Sequence, residues 1–209
     1  LVSIEDTANR GGGAVYDYQE IQKIKSFCDS KNLPLHLDGA RVFNALCVNG
    51  IDPKTYAQAF DSLSVCLSKG LGAPVGSLVI GSAAFIGKAR RVRKVLGGGM
   101  RQAGIIAAPA IYSMNSFESQ LITDHENTKI LFEGLSKIPG IILCSNKPYT
   151  NMVFFKIDRN INHFIKSCKG KGLNVGELGY NRIRMAVHSG ITKKDVIIAI
   201  KIISEVMKE

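Results

Sequence analysis

Apolar and polar positions follow two rhythms along this chain. Short apolar runs bounded by turn residues alternate with stretches whose apolar residues lie three and four apart. Residues 1–5 open as a strand, and residues 9–13 form a turn with three consecutive glycines. Asp17 caps a helix that runs to about Asn32, with Ile21, Ile24, Phe27 and Cys28 at helical spacing. Pro34 opens a strand over 35–38, Gly39 turns the chain, and a helix follows over 40–45. Residues 63–67 predict a short buried strand and residues 75–80 the next one. Strand, helix, strand in this order predicts βα units and a mostly parallel sheet.

The second half has another organisation. Residues 103–135 predict one long helix, with Pro109 as an early kink or break. Strands are expected over 141–144, 151–157, 173–175 and 182–187, and a helix over 162–171. Thr192 caps a last helix whose apolar side holds Val196, Ile197, Ile200, Ile203 and Val206. Two helices over a small antiparallel sheet make an α+β layer. The expected organisation is therefore an α/β part over 1–115 and a small α+β part over 116–209.

Composition narrows the class. The 209 residues are 45% hydrophobic and 21% charged, as in a globular protein. No apolar run approaches the roughly 18 residues of a membrane span. No signal peptide is expected, and the opening without Met points to a fragment or a processed chain. Cys28, Cys47, Cys66, Cys144 and Cys168 are scattered and odd in number. They predict reduced thiols in a reducing compartment, and no spacing suits a metal. The net charge is +10, and Lys88, Arg90, Arg91, Arg93, Lys94 and Arg101 cluster without an acid. No nucleic-acid motif and no interleaved aromatics accompany them. A solvated face or an anion site is expected there.

Candidate chemistry centres on residues 62–78, S-L-S-V-C-L-S-K-G-L-G-A-P-V-G-S-L. Lys69 is placed where a strand enters a loop rich in Gly and Pro. Between two buried strands its ammonium would be desolvated, and a neutral amine attacks aldehydes. The alternative is a surface lysine on a turn. Asp38 ends the earlier strand in D-G-A-R, with Arg41 three residues on. A carboxylate there can pair with a cationic ring nitrogen, or it can cap the following helix. One sheet can bring Asp38 and Lys69 to the same edge.

Three long motifs then carry a resemblance. H-L-D-G-A-R at 36–41, S-V-C-L-S-K-G-L-G-A-P-V-G-S at 64–77 and G-G-G-M-R-Q-A-G at 97–104 resemble the L-threonine aldolases. The opening I-E-D-T-A-N-R-G-G-G and the late I-R-M-A-V-H match as well. That family is pyridoxal-phosphate dependent and has the aspartate-aminotransferase fold, fold type I. The resemblance implies that residues 1–115 are the C-terminal part of the large cofactor-binding domain and 116–209 the small C-terminal domain. It implies Lys69 as the Schiff-base lysine and Asp38 as the partner of the pyridine nitrogen. Arg41 is implied near the phenolic oxygen and the substrate carboxylate, Arg184 as a second arginine for that carboxylate, and Arg101 near the phosphate or a dimer interface. Arg184 fits a solvent-facing strand position equally well.

The implied reaction is cleavage of the Cα–Cβ bond of L-threonine or L-allo-threonine to glycine and an aldehyde. The alternatives are a related β-eliminating lyase and a truncated, inactive paralogue that only dimerises or binds. A small amino-acid substrate, no nucleic acid, no membrane and a homo-oligomer, dimer or tetramer, are expected, in the cytoplasm or in mitochondria. The base is left open among the histidines: His36 should share a face with Asp38, His188 lies four beyond Arg184, and His125 and His163 are expected on helix surfaces. The family typically has a longer N-terminal portion, with the ring-stacking histidine and the phosphate loop. It often has E-N-T-H-N where this chain has Glu5-Asp6-Thr7-Ala8-Asn9. A sheet without that portion should expose an edge.

Overall fold

A computed structural model describes residues 1–209, which divide into two compact units. The first holds Leu1–Asn9 and Ala14–Ser119; the second holds Arg10–Gly13 and Gln120–Glu209.

The first unit is built in βα order from β1 (Val2–Glu5), α1 (Tyr18–Ser30), β2 (Leu35–Gly39), α2 (Val42–Asn49), α3 (Pro53–Ala57) and β3 (Ser62–Cys66). It continues through β4 (Ser77–Gly81), α4 (Ala83–Val95) and α5 (Gly104–Met114), and α6 (Phe117–Leu135) begins in it. The sheet order is β1-β2-β3-β4, with the first three strands parallel and β4 antiparallel to β3. Leu35, Leu37, Leu63 and Val65 meet Ile21, Cys28, Val42, Leu46 and Tyr56 in one apolar core. Side chains alternate across a strand, so His36, Asp38, Ser62, Ser64 and Cys66 share the opposite face. Asp17 caps α1 by accepting from the Gln19 N–H at 2.8 Å.

The second unit packs α6, α7 (Ile161–Gly170) and α8 (Lys193–Val206) with a small antiparallel sheet. Its strands are β5 (Ile141–Leu143), β6 (Met152–Ile157), β7 (Gly176–Glu177) and β8 (Ile183–Ala186), in the order β5-β6-β8-β7. Phe155, Phe164, Ile183 and Ile203 lie at its centre, each fully buried. Thr192 and Asp195 form a reciprocal capping box at the start of α8.

Several expectations are corrected. The helix expected over 103–135 is two helices, and the break lies at Asn115–Ser116 while Pro109 stays inside α5. The N–H groups of Asn115 and Ser116 bond three residues back, a tightened turn that ends α5. The strand expected over 173–175 is displaced to β7. Leu173 instead closes α7, its N–H bonding Cys168 O at 2.9 Å beyond Gly172 at φ +88°. The short α3 has no counterpart in the sequence reading, because five residues are too few to show a period. Ile197 faces solvent, and Ala199 takes its expected place on the buried side of α8. The strand expected over 75–80 starts at Ser77, and it is exposed.

Candidate active site

The C-terminal ends of β1, β2 and β3 lie along one edge, because the three strands are parallel. Chemistry in open α/β sheets gathers at such an edge. Asp38 sits there on β2, in register with Glu5 of β1 and Ser64 of β3. Its carboxylate is exposed, and Oδ1 accepts from the Ala40 N–H at 3.2 Å. Asp38 does not cap α2; the cap position is Arg41, which makes no capping bond with its side chain. Gly39 is needed where β2 turns: a Cβ there would lie 2.8 Å from Ser64 O. That close approach brings the β2 turn against β3.

Lys69 follows β3 in a loop held at both sides. Leu67 and Leu71 are buried in a small cluster with Ala73 and Ala110 of α5. The loop is closed by Leu67 N–H to Gly76 O at 3.0 Å, Ala73 N–H to Leu67 O at 3.0 Å, and Gly72 N–H to Lys69 O at 2.9 Å. The Lys69 side chain is exposed. The expected desolvation between two buried strands is therefore not observed. Its cause is β4: Leu78, Val79 and Ile80 are 44 to 52% exposed on the outer strand of the sheet.

Phe43 of α2 joins the two parts. It packs against both the main core and the cluster beneath the Lys69 loop, and its ring meets Phe117 edge-on at 4.7 Å. Arg41, two residues before Phe43, is half-buried and donates from Nη1 to Asn9 Oδ1 at 3.3 Å. Asp38, Arg41 and Lys69 thus share one edge on elements that pack together. Arg101 lies in the exposed segment between α4 and α5. The basic cluster does not form one helix, since α4 ends at Val95 and Arg101 lies beyond it. Arg184 lies on β8 in the second unit, paired with Phe154 and Gly176.

The histidines separate by setting. His36 shares the Asp38 face, with Nδ1 2.8 Å from Ser62 Oγ. His188 and His163 are exposed. His125 is half-buried, which corrects its expected surface position, and burial pulls its imidazole down from the usual range. Two features went unseen in sequence. Asp6, just after β1, is fully buried, and its carboxylate accepts from the Tyr56 hydroxyl of α3. Burial pushes this carboxyl up to about 6, although bonds from Tyr56 and the Tyr16 N–H favour its ionised form. The other is the Asn9–Arg41 contact. No group of three or more His, Cys, Asp or Glu side chains could hold a metal ion. No helix is long and apolar enough to cross a membrane.

The family model described as beta-eliminating lyase matches residues 1–160. The chain belongs to the beta-eliminating lyase family. It is 38% identical over 200 residues to low-specificity L-threonine aldolase 1 of Arabidopsis thaliana, covering 94% of this chain and 56% of that protein. It is 41% identical over 157 residues to the low specificity L-threonine aldolase of Escherichia coli K12, covering 75% and 45%. The chain thus spans about half the length of these curated relatives. Among solved structures, a threonine aldolase of Leishmania major aligns with a TM-score of 0.78 at 22% identity, covering 99% of this chain and 61% of that one. The shared fold bears out the expected class: a mixed sheet of the fold type I kind and a small α+β unit.

Proposed function

We propose that this lyase-family chain serves pyridoxal-phosphate-dependent cleavage of the Cα–Cβ bond of L-threonine or L-allo-threonine, giving glycine and acetaldehyde. The observation that carries the reading is the shared edge. Asp38 lies at the C-terminal end of β2 and Lys69 follows that of its parallel neighbour β3, in a chain 38% identical to a named threonine aldolase.

The donor set suits pyridoxal phosphate. Its aldehyde calls for an accessible amine, its ring nitrogen for a carboxylate, and its phosphate for cations. Lys69 and Asp38 are both exposed at the edge, and Arg41 follows Asp38 by three residues at the start of α2. Lys69 would hold the cofactor covalently, and Asp38 would keep a proton on the ring nitrogen. When bound, the cofactor supplies an electron sink at Cα for the pair left as the Cα–Cβ bond breaks. Arg41 and, by resemblance, Arg184 would bind the substrate carboxylate through guanidinium forks. Holding the carboxylate orients the bond to be broken. Arg101 is proposed for the phosphate or a subunit contact. A base takes the β-hydroxyl proton, the hydroxyl oxygen becomes the aldehyde oxygen, and Cα gains a proton to give glycine. Residues 1–115 would form the C-terminal part of the large cofactor domain and 116–209 the small domain. A homo-oligomer, dimer or tetramer, in the cytoplasm or in mitochondria, completes the reading.

The test is an absorbance scan of the chain with added pyridoxal phosphate, with and without borohydride, beside Lys69→Ala. A yellow band that borohydride bleaches, and that the variant lacks, is expected. Its absence from the unaltered chain would sink the reading. Threonine cleavage, followed as acetaldehyde release, is the second assay.

A further inference from the structure

We propose that Asn9 is a positioning residue that fixes the Arg41 guanidinium at the β2–β3 edge. The two residues meet across 32 positions of sequence, with Arg41 Nη1 donating to Asn9 Oδ1 at 3.3 Å. The backbone that presents Asn9 is tied down ahead of it. Asp6 N–H bonds Asp38 O at 3.1 Å, and Ala8 N–H bonds Ala14 O at 2.9 Å. The Asp6 side chain is buried against Tyr56, and Thr7 is buried too. Asn9 therefore leaves a stretch anchored to β2, to α3 and to Ala14.

One common reason for asparagine in a turn, a left-handed backbone, does not apply here. Asn9 does not adopt positive φ, unlike Asn32 and Asn181. Its amide oxygen, which accepts from Arg41, offers another reason. A neutral acceptor can orient a guanidinium without cancelling its charge. A carboxylate in its place would form an ion pair and weaken the pull of Arg41 on any other anion. Asn9 thus suits an arginine that must be both aimed and fully charged. Only this last step, that Arg41 serves an anion, rests on the proposed function.

Asn9→Ala and Asn9→Asp decide the matter through two readouts. The first is the ¹⁵N NMR signal of the Arg41 side chain in the chain without cofactor. We expect restricted guanidinium rotation in the unaltered chain, free rotation in Asn9→Ala and restriction kept in Asn9→Asp. The second is glycine affinity of the pyridoxal-phosphate-loaded chain by titration calorimetry. Both variants should bind glycine about tenfold more weakly, the loss expected for one charge-assisted hydrogen bond or its equivalent in charge. Unchanged rotation in Asn9→Ala overturns the inference. Changed rotation in Asn9→Ala with unchanged glycine affinity in both variants would uphold the positioning of Arg41 and overturn the step that Arg41 serves an anion. If the unaltered chain takes up no cofactor, the proposed function fails, and the NMR readout alone decides whether Asn9 positions Arg41.

Discussion

Strands β4 and β6 are both rich in apolar residues, yet they meet opposite fates. In β6, Met152 to Phe155 and Ile157 are all buried, with β5 on one side and β8 on the other. In β4 every residue but Gly81 is exposed, and the following helix α4 buries none of its residues. Phe85, Val92, Val95 and Leu96 add to this open apolar surface. The lesson is that an apolar pattern states a demand for cover and says nothing of what covers it. In β6 the cover comes from the same unit. In β4 the cover from β3 and α4 leaves the strand exposed.

The largest effect should come from breaking the covered strand. Phe155→Ala removes a fully buried ring and should cost about 3–5 kcal/mol, read as a lower urea midpoint. If it costs no more than an exposed substitution in β4, the contrast between the strands fails.

The next effect concerns a covered polar group. The folded-state pKa of Asp6 is raised to about 6 from 3.8. The folded chain therefore binds this proton more tightly than the unfolded one. The contribution of this group to stability should be greatest below about pH 4 and be lost as pH rises through about 6, by on the order of 3 kcal/mol. Asp6→Asn should flatten that part of the pH profile of thermal unfolding. A fall of equal size in the variant would assign it to other groups.

Helix caps sharpen the comparison further. Thr192 and Ser82 both accept from the backbone N–H three residues on. Because α8 is packed, Thr192→Ala should lower global stability by about 1 kcal/mol. Because α4 is bare, Ser82→Ala should fray α4 locally, seen as faster amide exchange, with little change in the global midpoint. The smallest stability effect belongs to Val79→Lys on β4, within about 0.5 kcal/mol. It should nonetheless reduce light scattering at high concentration, since a lysine blunts an exposed edge. Unchanged scattering would mean that β4 does not drive association.

Much of this was legible in the residues. The period of α1 and its Asp17 cap, the apolar run of β2, and the 3.6-residue stripe of α8 rest on local physics. The three motifs at 36–41, 64–77 and 97–104 carry the family likeness in local sequence alone. What stayed hidden depends on distance in sequence. Lys69 is exposed because β4 ends the sheet, and a strand's neighbours are not written in the strand. Asn9 and Asp6 reveal their settings only through Arg41 and Tyr56, 32 and 50 residues away. The Leu173 segment has the composition of a strand, but a left-handed glycine before it ended α7 instead.

The antiparallel turn of β4 also bears on how the chain reaches its fold. Cys66 and Ser77 pair across only 11 positions, whereas Leu37 pairs with Leu63 and Ile4 with Leu37 across 26 and 33. Closing a short loop sacrifices less chain entropy, and local pairings form sooner. The β3–β4 ribbon should thus assemble first, with Lys69 at its tip, and serve as the template on which β2 and then β1 dock. Pulse-labelled hydrogen exchange during refolding should protect Val65 and Leu78 before Ile4; the reverse order would make the parallel strands the nucleus.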